Sequence, residues 1–213
     1  MEKRILGVLG GNDTPEPLLR FWAAKADILI AADRGADLLL SAGHLAHVAI
    51  GDFDSSDPSQ FHDSTDIVKI HDQNLSDCDK LLKYITERGH DAVTIIGFEG
   101  DRLDHVLAGL GSFLRSPLNI RVILRTGLAT LLKGPSIRQI GSKKGQMVSI
   151  LPLLPTNPVA TQGLEWEIKG EHLELGANLS LSNIATTDIF SIEIGSGAVL
   201  VIQEMQMESY EGW

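Results

Sequence analysis

The sequence predicts an α/β protein: a doubly wound, mostly parallel sheet followed by a smaller all-β sandwich. Three observations predict it. Up to about Gly127, short apolar runs alternate with segments whose apolar residues recur at helical spacing. The polar clusters in that region each fall directly after one of the runs. Beyond it, helical periodicity stops and short strand-like runs follow one another between Gly, Pro and Asn. The expected division is residues 1–127 and 128–213.

The first strand is expected over Ile5 to Leu9, ending in Gly10-Gly11-Asn12. Pro15-Glu16-Pro17 then opens a helix with Leu18, Leu19 and Trp22 at helical spacing. A glycine pair between strand and helix admits a phosphate close to backbone N–H groups, or simply makes a tight turn. Asp27 to Ala32 reads as a second strand running into Asp33-Arg34-Gly35. A helix follows with Ala36, Leu39 and Leu40 on its buried side, ended by Gly43. His47 to Ile50 and Ile67 to Ile70 are the next two strands. Ser76 starts a helix in a capping-box pattern with Asp79, and Cys78, Leu81, Leu82 and Ile85 form its apolar face. Val93 to Ile96 is a fifth strand. Leu103, Val106, Leu107, Leu110 and Leu114 stripe the helix after it, and Ile120 to Leu124 is a sixth strand. In the second region the expected strands are Ala129 to Leu132, Met147 to Ile150, Leu164 to Ile168, His172 to Leu175 and Leu179 to Leu181. Ile189 to Ile194 and Ala198 to Gln203 flank Gly195-Ser196-Gly197, a hairpin signal.

The stretch Gly51-Asp52-Phe53-Asp54-Ser55 organises the first region. If the strand continues past Ile50, Asp52 and Asp54 share a face and repel unless a cation lies between them. Mg²⁺ suits such a site, being a hard ion usually held by one or two carboxylates together with substrate phosphates. The alternative is a loop rich in Asp because Asp forms turns and caps helices. Asp77 and Lys80, three apart on the helix that Ser76 caps, are either a solvated pair or part of a site. Arg102, Asp104 and His105 open the next helix. They make either a phosphate site or an acid that complements the helix dipole beside a partly buried His. In doubly wound sheets, ligands bind beyond the carboxyl ends of the strands. Asp33, Asp52 with Asp54, Asp72, and Arg102 with Asp104 therefore gather on one edge.

A formal net charge of −10, with no run of Lys or Arg, argues against a nucleic-acid binder. It favours a nucleotide held through a metal and a cationic second substrate. Cys78 is the only cysteine, which excludes an intrachain disulfide and a thiolate zinc cluster. No segment reaches the roughly 18 apolar residues of a membrane span, and the expected location is the cytoplasm.

Taken together, these residues resemble the thiamine pyrophosphokinase (thiamine diphosphokinase) family. The likeness runs through Asp33-Arg34-Gly35-Ala36, Gly51 to Ser55, Asp72-Gln73-Asn74 with Ser76-Asp77 and Lys80, and Gly97 to His105. It continues in Gly163-Leu164-Glu165-Trp166 and Ser180-Leu181-Ser182-Asn183. It implies a homodimer that transfers the terminal pyrophosphoryl unit of ATP to the hydroxyl of thiamine, releasing AMP. Residues 1–127 would be the nucleotide-binding catalytic domain, and 128–213 the thiamine-binding and dimerisation domain. By that resemblance Asp52, Asp54 and Asp72 hold Mg²⁺, and Asp33, Lys80, Arg102, Asp104 and His105 bind ATP. Gln73, Trp166, Ser182 and Asn183 bind thiamine, and Asp54 or Asp77 takes the hydroxyl proton. Two positions depart from the family pattern: Arg34 and Asp101 stand where glycines are usual. The competing readings are a pyrophosphokinase for another small alcohol, such as a pterin, and a nucleotide-binding protein without turnover. Without the resemblance, Trp166 reads as an ordinary sandwich-core residue.

Overall fold

The computed structural model describes residues 3–53, 61–100 and 102–205. They form two compact units, the first ending at Arg125 and the second beginning at Thr126.

The first unit alternates strand and helix: β1 (Ile5–Val8), α1 (Glu16–Ala23), β2 (Ile28–Ala32), α2 (Gly35–Ser41), β3 (Val48–Gly51), β4 (Asp66–Lys69), α3 (Asp77–Glu87), β5 (Ala92–Ile96), α4 (Leu103–Arg115) and β6 (Asn119–Leu124). The strands lie in the order β6-β5-β1-β2-β3-β4, and every pairing is parallel. The inner strands β1, β2, β3 and β5 are buried on both faces, which is why their sequences read as continuous apolar runs. The order reverses between β1 and its neighbours β2 and β5, as expected of a doubly wound sheet.

The helices follow their sequence signals with two differences. In α2, Leu40 is exposed and the buried residues are Gly35, Ala36 and Leu39. In α4 the predicted stripe is only partly covered, with Val106, Leu110 and Leu114 half-buried. Leu103 and Leu107 are exposed, and the buried residues are Gly109, Ser112 and Phe113. On the inward side Phe113 meets Phe98, two residues after β5, with ring centroids 4.8 Å apart. The glycine pair after β1 has a local use. A Cβ on Gly11 would stand 2.0 Å from the carbonyl oxygen of Glu99, so the main chain of the β5–α4 loop fills that face.

The second unit is antiparallel throughout. Its strands are β7 (Gly127–Lys133), β8 (Ser136–Gly141), β9 (Met147–Leu154), β10 (Thr156–Gln162), β11 (Lys169–Leu173), β12 (Ser180–Ile184), β13 (Ile189–Ile194) and β14 (Ala198–Glu204). One row runs β12-β9-β14-β7 and another β11-β10-β13-β8. Val148, Ile150, Val199 and Val201 from the first row meet Val159, Phe190, Ile192 and Ile194 from the second in one apolar core.

Two expectations fail in this unit, and two strands were not expected. Leu164 to Ile168 is a loop with one isolated β-bridge, Leu164 to Ala185, and not a strand. Gly195-Ser196-Gly197 joins no hairpin, since β13 pairs with β10 and β8 whereas β14 pairs with β7 and β9. The chain changes sheets at that point. Gly197 has φ +85, and its missing Cβ leaves 2.2 Å to the carbonyl oxygen of Pro155. Strands β8 and β10 carry weak signals. β8 is a polar edge strand, and β10 is interrupted by Pro158, which reads as a strand breaker.

Candidate functional site

The carboxyl ends of β2 and β3 and the first turn of α3 bring three carboxylates into mutual electrostatic reach, two of them bonded to one lysine. Asp33 follows β2, and its N–H donates to the carbonyl of Ile50 on the neighbouring strand at 2.9 Å. Its backbone is left-handed (φ +42), a conformation Asp tolerates better than most residues. The carboxyl is buried, and Oδ1 accepts from the Phe53 N–H at 3.3 Å. Room for it comes from Gly51. A Cβ there would stand 2.2 Å from Asp33 Oδ1, so the last residue of β3 must lack a side chain.

Asp52 comes next in the chain. Its Oδ2 accepts from Lys80 Nζ at 3.4 Å and from Gln73 Nε2 at 3.3 Å. Lys80 also donates to Asp77 Oδ1 at 3.3 Å. Its side chain is only 4% exposed, so it is not half of a solvated pair. The helix start explains this. Ser76 caps α3, its Oγ accepting from the Asp79 N–H at 3.1 Å while Asp79 Oδ2 accepts from the Ser76 N–H at 3.1 Å. That capping box sets the first turn so that Lys80 reaches back under the strand ends while Cys78, Leu81, Leu82 and Ile85 face the core.

The electrostatics follow from the count of charges. Burial, then the Asp77 carboxylate by charge and by hydrogen bond, then the Asp52 carboxylate by charge push the Asp33 carboxyl up to about 6. The Phe53 N–H pulls weakly the other way. For Lys80, burial opposes the charge, yet the Asp77 and Asp52 carboxylates outweigh it and raise the ammonium above its ordinary value. One ammonium among three carboxylates leaves the pocket with surplus negative charge.

The strand conformation ends at Gly51 and Phe53 is left-handed (φ +57), so strand alternation does not carry across from Asp52 to Asp54. Asp54 itself lies outside the described residues, as does Asp101. Asp72 is exposed, and its Oδ1 accepts from the N–H (2.9 Å) and Nδ2 (3.0 Å) of Asn74, an Asx turn. Among the described residues, no three carboxylates, imidazoles or thiols are grouped so as to hold one metal ion. Arg102, the N-cap residue of α4, makes a bidentate pair with Asp104, Nε to Oδ1 at 3.1 Å and Nη2 to Oδ2 at 2.6 Å. Those hydrogen bonds are the main reason the Asp104 carboxyl is held down at about 2. Both side chains and His105 are exposed. Arg34 has ordinary right-handed helical backbone (φ −52) and an exposed side chain, so this position makes no demand for glycine.

In the second unit, Trp166 is 59% exposed rather than buried in the sandwich core. Ser182 is exposed with left-handed backbone (φ +54), and Asn183 is buried with its amide bonded to the main chain of Trp166. One contributor escaped the sequence reading: Gly51 reads only as a strand terminator, although it stands beside Asp52. Lys80 is named through the resemblance, whereas the residues alone leave it open between a solvated pair and part of a site.

An acidic pocket beyond the carboxyl ends of a parallel sheet places the first unit among the small-molecule-binding α/β proteins. Residues 19–124 match the model of the thiamin pyrophosphokinase catalytic domain, and residues 136–199 match that of the thiamin pyrophosphokinase vitamin B1 binding domain. The thiamine pyrophosphokinase of Bacillus subtilis (strain 168) is 22% identical over 210 residues, covering 94% of this chain and 98% of that one. Thiamine pyrophosphokinase 2 of Arabidopsis thaliana is 27% identical over 148 residues, 64% of this chain, and the match spans 55% of that relative. A crystal structure of the Bacillus subtilis thiamine pyrophosphokinase superposes with a TM-score of 0.81 at 21% identity, covering 95% of this chain and all of the other, and so shares the fold. The chain belongs to the thiamine pyrophosphokinase family, transferases that pyrophosphorylate thiamine and take thiamine and ATP as substrates.

Proposed function

We propose that this chain is a thiamine diphosphokinase whose first unit holds ATP with Mg²⁺ and whose second unit supplies the face for thiamine. The observation that carries this reading is the buried Lys80 ammonium between Asp52 and Asp77, the two carboxylates that also act on the buried Asp33. A pocket with more carboxylate than ammonium suits a hard cation. Asp52, together with Asp54 and Asp72, would hold Mg²⁺, which would neutralise charge on the triphosphate. Lys80, Arg102, Asp104 and His105 would line the nucleotide side, with Asp33 supporting the pocket.

Pyrophosphoryl transfer is mainly a matter of alignment and charge stabilisation. The thiamine hydroxyl oxygen bonds to the β-phosphorus of ATP as the bridge to the α-phosphate breaks, and AMP leaves. The hydroxyl proton passes to a carboxylate. Asp77 is suited to this, being half exposed at the pocket mouth, and Asp54 is the other candidate. Gln73, tied to Asp52, would orient the alcohol. The same acidic surplus suits the cationic thiazolium, and the indole of the exposed Trp166 offers a flat face to a ring or cation, with Ser182 as a polar contact.

A homodimer is supported by the exposed apolar side chains Leu175, Leu179 and Leu181 in the second unit, which a second copy would cover. The net charge of −10 supports the absence of a nucleic-acid partner. Among the described residues, no helix is long and apolar enough to cross a membrane. The single buried thiol of Cys78 is compatible with a cytoplasmic location.

The test is incubation with ATP, MgCl₂ and thiamine, followed by chromatography for AMP and thiamine diphosphate in equal amounts. AMP formed only with another alcohol, such as a pterin, would overturn the substrate assignment. ATP binding with no AMP at all would overturn the activity.

A further inference from the structure

We infer that Asn183 is not a substrate ligand but the positioning residue that sets the Trp166 indole, an inference that rests on the reading of Trp166 as the thiamine face. Asn183 is 1% exposed. Its Oδ1 accepts from the Trp166 N–H at 3.1 Å and from the Ile184 N–H at 2.9 Å. Its Nδ2 donates to the Trp166 carbonyl at 2.7 Å and to Ser180 Oγ at 3.2 Å. A side-chain amide offers two donors and two lone pairs, and here all four are taken. No capacity is left for a ligand.

One side chain thus grips both main-chain groups of Trp166 while the residue stays 59% exposed. The grip needs a special backbone. β12 pairs with β9 at Ser180 opposite Ile150 and at Asn183 opposite Val148, so β12 has one residue more than its partner between those points. That bulge turns Leu181 and Ser182 outward and Asn183 inward, with Ser182 left-handed (φ +54) and its N–H donating to Ser149 Oγ at 3.0 Å. The loop is strapped to β12 and the residues after it at two further points, Glu165 N–H to the Ile184 carbonyl (2.8 Å) and Thr186 N–H to the Gly163 carbonyl (2.9 Å). A loop without strand pairing is therefore held nearly as firmly as a strand. An aromatic face is useful for recognition only when its backbone is fixed, and in this loop the fixing is done by a buried amide.

The test compares Asn183→Asp, Trp166→Ala and the double variant in steady-state kinetics with thiamine and MgATP varied separately. Asn183→Asp keeps the size of the side chain and its acceptors but loses both donors. The expected result is a KM for thiamine raised about tenfold or more, with kcat and the KM for ATP within about threefold of the parent. The double variant should be no worse than Trp166→Ala, because both changes remove one function. A KM for thiamine unchanged in Asn183→Asp but raised in Trp166→Ala would overturn the inference and leave the Trp166 reading standing. Fully additive effects would also overturn it, since Asn183 would then act on substrate by itself. An unchanged KM in Trp166→Ala would overturn the Trp166 reading and the inference with it. Hydrogen exchange on the parent protein needs no variant: the Trp166 amide should exchange at least about a hundredfold slower than a free loop amide, and exchange at the free rate would sink the proposal.

Discussion

The ammonium of Lys80 lies 3.4 Å from Asp52 Oδ2 across 28 residues of sequence, joining the first turn of α3 to the end of β3. The contact makes the lysine both a support for the strand ends and a cation within the pocket. Replacing it should therefore damage stability and turnover together. Lys80→Met keeps the apolar stem but leaves Asp52 and Asp77 facing each other. Breaking a buried pair by removing one partner costs about 3–5 kcal/mol, and the half-exposed Asp77 lowers that to about 2–4 kcal/mol. Urea unfolding should show this loss, and AMP formation should fall by roughly a hundredfold or more. A variant with parental stability would mean that Lys80 is a solvated surface residue after all.

Asp33 gives a prediction with a definite sign in pH. Its carboxyl binds a proton more tightly in the folded chain, at about 6, than when unfolded near 3.8. A raised carboxyl value means that ionisation opposes folding. The penalty is absent below about pH 3.8, grows through the interval, and is complete above about 6. Asp33→Asn removes the ionisation and retains an acceptor for the Phe53 N–H, and Asn tolerates the left-handed backbone as Asp does. Without added metal, the variant should be more stable than the parent at about pH 7–8 by roughly 1–2 kcal/mol. That is less than the full equivalent of the displacement, because solvent screens part of the group. The advantage should vanish by about pH 4. Thermal unfolding curves across that range check it. A constant difference at all pH values would show that ionisation of Asp33 is not what burial and the neighbouring carboxylates oppose.

Gly51 predicts loss of function through the absence of a side chain. Gly51→Ala puts a methyl 2.2 Å from Asp33 Oδ1, so the carboxyl must move out of the pocket. Overpacking of this kind costs about 1–3 kcal/mol, and displacing that carboxyl by about an ångström should lower kcat by roughly tenfold to a hundredfold. Combining Gly51→Ala with Asp33→Ala should restore part of the lost stability, since the clash is between those two groups. No recovery in the pair would place the strain elsewhere.

The strands and helix starts of the first unit were legible because each follows a local rule. The apolar runs of β1, β2, β3 and β5 mark buried parallel strands, and Ser76 with Asp79 marks a helix start. What escaped depends on neighbours distant in sequence. Asp77 and Lys80 form an ordinary i,i+3 pair unless the helix start is known to sit over β3. The leucines of α4 outnumber its truly buried residues, and its inward side is marked by tertiary contacts such as Phe98 with Phe113. Glycines at 195 and 197 fit a hairpin as well as a change of sheet, because both need permissive backbone and little bulk. Asn183 matched the family motif, but its burial and four hydrogen bonds come from a bulge that no local pattern announces.

The capping box of α3 is itself tied to α4, and this predicts an effect on catalysis from a residue outside the pocket. Asp79 Oδ2 accepts from the N–H and Oγ of Ser76, and its Oδ1 accepts from Arg115 Nη2 at 2.8 Å in the last turn of α4. Arg115 also donates to Ser112 Oγ, so two helices meet at one carboxylate. Burial tends to raise the Asp79 carboxyl, but the hydrogen bonds from Ser76, Arg115 and Ser112 outweigh it and hold the group below its ordinary value. A lowered carboxyl value stabilises the fold above about pH 4, and that contribution is lost as the pH falls through the folded value. Asp79→Ala should therefore cost about 1–3 kcal/mol at about pH 7, a loss that shrinks in acid. Because the same turn carries Asp77 and Lys80, kcat should drop roughly tenfold even in molecules that remain folded at the assay temperature. Asp79→Asn keeps an acceptor for Ser76 but loses the charge-assisted bond to Arg115, and it should fall between the parent and Asp79→Ala in both stability and rate. If stability falls while kcat holds at the parental value, the capping box supports the helix without positioning the pocket.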